Sequence, residues 1–106
     1  MNVADQIKVI QKEVESFYQE ATMYESYMSS LSEDQKNHVI QIGTSILCTK
    51  WNIGYEGGGF VQAVVNNDLM GVVGKADGTN VKMLPFYCKL IYNTALPMEL
   101  QLQINA

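Results

Sequence analysis

Apolar residues recur along the first third of the chain at alternating spacings of four and three residues, the repeat of a helix that buries one face. The pattern predicts one long heptad helix over residues 3 to 30, about 42 Å long at 1.5 Å per residue. A compact domain of this length is only roughly 33 Å across. Either the helix projects and pairs with another chain, or it breaks near Ser29-Ser30. Its apolar face can pack on the domain's own helices, on another chain, or partly on each. The apolar positions are Val3, Ile7, Ile10, Val14, Phe17, Ala21, Tyr24, Met28 and Leu31.

The excess length of this helix predicts a homo-oligomer. In such an assembly the apolar side chains of one helix insert between those of another copy. The predicted interface between copies consists of Ile7, Ile10, Val14 and Phe17.

A second helix is predicted over about residues 33 to 51. Ser32 and Gln35 have the spacing of a capping box at its start, and the two acidic residues between them suit the positive end of the helix dipole. The helix is expected to end before Gly54. Its apolar face is expected to consist of Val39, Ile42, Ile46 and Leu47.

Beyond Phe60 the pattern alone does not separate helix from strand. The many β-branched residues favour strands, whereas the spacing of the apolar residues also fits buried helices. Residues 98 to 105 alternate between apolar and polar side chains. This alternation is typical of a half-buried strand and predicts a short extended tail.

Composition narrows the class of protein. The 106 residues, 47% of them hydrophobic, suffice for a single domain over 1–106 with a long amphipathic helix (1–31), a helical body (32–97) and the extended tail (98–106). The net charge is −4, and the chain contains no arginine, the usual reader of phosphate and guanine. We therefore expect no direct nucleic-acid binding. No apolar run is long enough for a membrane span, so we expect no membrane association.

Residues 53 to 97 carry a spaced set of glycine, asparagine and proline positions: Gly54, Gly58-Gly59-Phe60, Ala63-Val64, Asn67-Asp68-Leu69, Ala76-Asp77, Asn80, Leu84, Tyr92-Asn93 and Leu96-Pro97. This pattern resembles a family of short uncharacterised proteins of bacteriophages and prophages. The resemblance implies helices over 59–75 and 79–94, and therefore a mainly α fold of about four helices. It also implies a phage origin and a location in the host cell cytoplasm. It carries no activity with it.

Motifs that perform chemistry are not evident in the sequence, so we expect a protein that is not an enzyme and has no metal or cofactor. The glycine run at 57–59 lacks the spacing of a nucleotide-binding loop and predicts a sharp turn between helices. His38 and Cys48 would lie about 15 Å apart on one helix, beyond hydrogen-bond reach. Cys48 and Cys88 are expected to be buried structural thiols.

Asn67 and Asp68 stand inside an otherwise apolar segment, and a carboxylate buried there would need a hydrogen-bonding partner such as Asn80. Two interpretations remain open. Asp68 caps an adjacent helix end, or Asn67, Asp68 and Asn80 form a polar pocket for a ligand.

Acidic and aromatic residues are concentrated near the N-terminus, where the first 34 residues have a local charge balance of −5. Aromatic and methionine side chains are enriched in interface cores, and acidic faces speed association with basic partners. The predicted partner-binding residues are Glu13, Glu20, Glu25, Tyr24, Tyr27 and Met28.

These features predict a phage-encoded, non-enzymatic, oligomeric protein-binding module. Its partner would be a host or phage protein with a basic surface. The concrete form of this hypothesis is an inhibitor of a host defence system, of the anti-CRISPR kind. One alternative is a virion or assembly component, which would use the long helix. Another is a small-ligand-binding protein, which would bind its ligand at the glycine turn and at Asn67 and Asp68.

Overall fold

Seven α-helices and one 3₁₀ helix make up residues 1 to 104, the part of the chain that this computed structural model describes. The mainly α prediction is confirmed, but the predicted count of about four helices is wrong. The helices are α1 (Val3–Ala21), the 3₁₀ helix (Ser26–Ser30), α2 (Glu33–Trp51), α3 (Gly59–Val65), α4 (Leu69–Lys75), α5 (Gly78–Lys82), α6 (Leu84–Asn93) and α7 (Met98–Ile104).

The first helix ends nine residues earlier than predicted, so no long heptad helix forms. The Thr22 hydroxyl donates a hydrogen bond of 2.6 Å to the Gln19 carbonyl, and Glu25 then adopts an extended conformation that no helix continues through. Hydroxyl groups of this kind compete with helical hydrogen bonding. With 19 residues α1 is about 28 Å long, shorter than the 41 Å long axis of the molecule. The excess length that predicted pairing between chains is therefore absent.

The apolar face of α1 packs inside its own chain. Ile10 and Val14 are completely buried, and Ile7 and Phe17 are half-buried against the same core. The Phe17 ring lies 5.7 Å from the ring of Phe86 on α6. These four residues therefore contribute to the contact of α1 with the rest of the domain, and the interface between copies predicted from them stays a prediction.

The central helix α2 has the predicted bounds. The Ser32 hydroxyl accepts from the Gln35 backbone at 3.1 Å, and the Gln35 side chain accepts from the Ser32 backbone at 2.9 Å, which completes the capping box. The helix ends at Asn52, whose left-handed conformation (φ 56°) turns the chain away. Gly43 has no side chain, and this allows Val14 of α1 and Leu90 of α6 to approach the α2 backbone.

The two long helices predicted beyond residue 58 are each interrupted. Asn67 takes a left-handed conformation (φ 57°) between α3 and α4, and the Asp68 side chain then caps α4. Between α5 and α6 the chain turns at Met83, and Pro85 occupies the first turn of α6, where its missing N–H costs no hydrogen bond. The glycine run leads into α3: Gly58 is extended and precedes the helix, which begins at Gly59, while the chain bends earlier, at Gly54 and Tyr55.

The predicted extended tail is wrong over the described residues, because Met98–Ile104 is the helix α7. The Pro97 carbonyl accepts from the backbone N–H groups of Leu100 and Gln101, which closes the first turn. Leu100 is fully buried, whereas Met98 and Leu102 are exposed. The buried Leu100 side chain thus anchors a helical turn rather than a strand. Residues 105 and 106 lie outside the described part.

Five aromatic rings pack together in the interior. Phe86 packs against Phe17, Tyr18 and Tyr87, with ring centroids 5.7 to 5.9 Å apart, and Tyr87 also contacts Phe60 on α3. Rings at these separations and tilts gain stability beyond their buried area. Among the described helices, none is both long and apolar enough to cross a membrane.

We expect Gly43→Ala to destabilise the protein by about 1 kcal/mol. The added Cβ would lie 2.9 Å from Val14 Cγ1 and 3.1 Å from Leu90 Cδ2, both on fully buried side chains. Overpacking lowers the free energy of unfolding by about 1–3 kcal/mol, whereas the higher helix propensity of alanine raises it by only about 1 kcal/mol. Urea unfolding measures the difference.

Gly74→Ala is the matched control, because a Cβ at Gly74 meets nothing within 4 Å. It should raise the free energy of unfolding by about 0.5–1 kcal/mol through propensity alone. A Gly43→Ala protein as stable as the unmodified chain would contradict the packing described for α1, α2 and α6.

Candidate acidic binding groove

A groove lies between α1, the segment that follows it, and α6. One end is a largely apolar pocket of about 140 Å³, lined by Phe17, Glu20, Ala21, Tyr24, Glu25, Tyr27, Phe86 and Lys89. Beside it is a polar pocket of about 240 Å³, lined by Glu13, Ser16, Phe17, Glu20, Asn93, Thr94 and Ala95. Phe17 and Glu20 belong to both pockets, so we treat them together as the acidic groove.

Helical spacing on α1 places the acids along this groove. Glu13, Phe17 and Glu20 are four and three residues apart and therefore share one face of the helix. Ala21 continues this face, and its small side chain leaves room for the apolar pocket. Phe86, which is 1% exposed, contributes from α6.

The segment after α1 is tied to α6 by an ion pair at the rim of the groove. The Lys89 ammonium donates a hydrogen bond to the Glu25 carboxylate. This hydrogen bond raises the pKa of Lys89, so the ammonium stays charged throughout the physiological range. Glu25 is the less exposed partner, at 24% against 53% for Lys89.

Tyr27 is one of the residues that line the apolar pocket. Its hydroxyl is shielded from solvent, and no group in the described part of the chain hydrogen-bonds to it. Burial and, to a smaller extent, the Glu25 carboxylate raise the pKa of Tyr27, so the phenol stays neutral. A shielded hydroxyl without a partner is costly in a folded protein, and a ligand group that reached it would relieve that cost.

The charged residues that line the groove are three carboxylates and one ammonium. Lys89 is already engaged with Glu25. Within the described residues, neither Glu13 nor Glu20 lies in ion-pair contact with a cation. The groove therefore has an uncompensated negative charge next to apolar and aromatic surface.

Five of the six residues predicted to bind a partner line this groove: Glu13, Glu20, Tyr24, Glu25 and Tyr27. Tyr24 is 83% exposed and presents its ring to solvent. Met28 is the exception. It is 2% exposed and belongs to the core, because the 3₁₀ helix turns its side chain inward.

Sequence reasoning missed the contribution of α6 to the groove. Lys89 lies 64 residues from Glu25 along the chain, and no local spacing of residues predicts their contact. Phe17 was assigned to an interface between copies, although its ring lies between the two pockets of the groove. The buried, aromatic character of Phe86 was the one available signal, and it does not specify a pocket.

The polar pocket predicted from Asn67, Asp68 and Asn80 does not form as expected. Asp68 is exposed and caps α4, accepting from the Gly71 backbone at 3.1 Å, so the capping interpretation is confirmed. Asn80 is buried, and its side-chain oxygen accepts from the Tyr87 hydroxyl at 2.8 Å. Asp68 and Asn80 therefore each have a structural partner of their own, and Asn67 supplies the left-handed turn before α4.

The candidate catalytic and metal-binding residues are also separated. Cys48 is buried, and burial raises the pKa of its thiol, whereas Cys88 is exposed, contrary to the prediction. His38 Nε2 lies 3.2 Å from Asp77 Oδ2, although the orientation is poor for a hydrogen bond. No group of three His, Cys, Asp or Glu residues suited to a metal ion occurs in the described part.

No protein-family model, curated protein or solved structure matches this chain. The resemblance to short phage proteins therefore stays a prediction. The acidic groove is therefore the feature of the molecule that indicates a function.

We expect Tyr87→Phe to destabilise the protein by about 1–3 kcal/mol, because it leaves the buried Asn80 side chain without its donor. Burial raises the pKa of Tyr87 far above its usual value, and the charge of the Asp77 carboxylate raises it further. The stabilisation is therefore complete below about pH 10, the unfolded pKa, and is lost as the pH rises through the folded pKa. Thermal unfolding at neutral and alkaline pH measures both effects.

Tyr92→Phe serves as the control for this prediction, since Tyr92 is 90% exposed. It should change the free energy of unfolding by less than about 0.5 kcal/mol. Equal melting temperatures for the two variants would contradict the role given to the Asn80–Tyr87 hydrogen bond.

Proposed function

We propose that this chain is a non-enzymatic protein-binding module whose acidic groove docks on a basic surface of a host or phage protein. The observation that carries the proposal is the convergence of three carboxylates and two tyrosines on one groove, lined from both α1 and α6. The binding surface lies within one chain, so the proposal needs no oligomer.

The charges of the groove suit a basic partner. Glu13 and Glu20 are exposed on α1 and have no internal counter-ion among the described residues. Carboxylates of this kind attract a cationic surface from a distance and raise the association rate, an effect that salt weakens. The complementary arrangement on a partner would be a cluster of lysine or arginine residues.

The tyrosines give the groove a means of holding a partner once it has arrived. Tyr24 offers an exposed ring beside an apolar pocket, and burial of such a ring is a common source of binding energy in interfaces. Electrostatic steering therefore acts mainly on association, and ring burial acts mainly on dissociation.

The concrete form of the proposal is a phage-encoded inhibitor of a host defence system, acting in the host cytoplasm. Many such systems contain nucleic-acid-binding proteins, whose binding surfaces are rich in lysine and arginine. An acidic protein that covers such a surface would block it without any chemistry. The long projecting helix that would favour a virion component is absent, and so is the Asn67–Asp68–Asn80 pocket that would favour a small-ligand binder.

We expect the partner's association rate to fall about tenfold or more when salt rises from about 50 to about 500 mM, because the screening length shrinks from about 14 to about 4 Å. The partner is first captured from infected host lysate with the tagged chain and purified. Surface-plasmon kinetics then measure both rate constants. Tyr24→Ala should mainly speed dissociation, by about tenfold.

The charge test uses Glu13→Lys with Glu20→Lys, which should slow association at low salt. Glu25 is left unchanged, because its reversal would set two cations against each other at Lys89. The control, Asp5→Lys with Glu56→Lys, changes the net charge equally outside the groove. The proposal fails if both double variants slow association equally, or if the groove variant captures the same proteins with unchanged kinetics.

A further inference from the structure

The apolar pocket of the acidic groove has the features of a receptor for one particular kind of side chain. It joins aromatic walls from Phe17, Tyr24 and Phe86 to a carboxylate rim, within a volume of about 140 Å³. That volume suits a single side chain rather than a folded segment. We infer that the pocket receives an arginine side chain of the partner, an inference that rests on the proposed function and specifies its chemistry.

Charge complementarity excludes an anionic occupant. The one ammonium at the pocket, on Lys89, already binds Glu25, and the remaining rim charge is the Glu20 carboxylate. A bound carboxylate would have to displace Glu25 from Lys89 and approach Glu20 at the same time. A cation meets Glu20 with no such competition.

Arginine fits this pocket better than lysine does. Its guanidinium is planar and weakly hydrated, it stacks on aromatic faces, and it binds a carboxylate through two parallel N–H groups. Tyr24 supplies an exposed aromatic ring, and the apolar stem of arginine is suited to the interior of the pocket. The ammonium of lysine is a compact, strongly hydrated charge, which loses more of its hydration on entering an apolar pocket.

One exposed carboxylate of this chain, that of Glu20, would bind the guanidinium at the rim. Lys89 holds Glu25 in place, and the chain, which has no arginine, provides no guanidinium of its own.

The test uses the unmodified full chain, labelled with ¹⁵N, and four capped tripeptides of the form acetyl-Gly-Xaa-Gly-amide. Xaa is arginine, lysine, phenylalanine or citrulline, the last being an uncharged analogue of arginine. We expect the arginine peptide to shift the amide signals of Ala21, Tyr24 and Phe86, with a dissociation constant on the order of millimolar. The lysine and citrulline peptides should bind at least about threefold more weakly.

Glu20→Gln should raise the dissociation constant of the arginine peptide by about threefold or more. The matched control is Glu15→Gln, which removes the same charge from the same helix, at a position that lines neither pocket of the groove. Both residues are exposed, and the amide spectrum reports directly whether each variant is folded.

The inference is overturned if the arginine peptide shifts none of the pocket signals, if citrulline or phenylalanine binds as well as arginine, or if both glutamine variants weaken binding equally. These results leave the proposed function standing, because a basic surface can dock on the groove without inserting a side chain. The reverse outcome is also possible to observe: the arginine peptide binds in the pocket, but no partner associates in a salt-dependent way. That result supports the inference and contradicts the proposed function.

Discussion

The close contact of three helices at Gly43 is the constraint on which the rest of the structure depends. Val14 of α1 and Leu90 of α6 both approach the backbone of α2 at this residue, which only a glycine permits at these distances. Phe17 stands one turn beyond Val14, and Phe86 stands one turn before Leu90. The contact therefore sets the separation at which these two rings meet, and with it the width of the acidic groove. The contact at Gly43 therefore determines both the packing of the core and the shape of the candidate site.

Local signals allowed the elements near them to be predicted. The capping box of α2 involves residues three apart, and its geometry depends little on the remainder of the fold. The interruptions at Asn67 and Met83 were not predicted, because the family resemblance implied continuous helices over 59–75 and 79–94. The tail was misassigned because alternation over eight residues resembles a strand, while Pro97 and the burial of Leu100 favour a helix.

The candidate site was predictable in one half only. The acids and tyrosines of α1 and the following segment were identified from their charge and clustering. The α6 side was missed, because the Glu25–Lys89 pair joins residues 64 apart and depends on how α1 and α6 pack. Heptad spacing indicated a buried face on α1 correctly, but it does not reveal whether that face meets another helix of the same chain or of a second copy. The end of α1 was not predicted either, because it is set by the Thr22 hydroxyl and the extended conformation of Glu25.

The shortness of five of the seven helices has a consequence for the way the protein opens. Isolated helices shorter than about 12 residues are marginal in water, so α3 to α7, of ten residues or fewer, keep their form only while docked. Amide hydrogen exchange should accordingly be slowest in α2, which is buried on most sides, and fastest in α7, where Leu100 is the fully buried anchor. The acidic groove lies between these extremes. Its α1 wall belongs to a 19-residue helix, and its ten-residue α6 wall is held there by the buried side chains of Phe86, Tyr87 and Leu90.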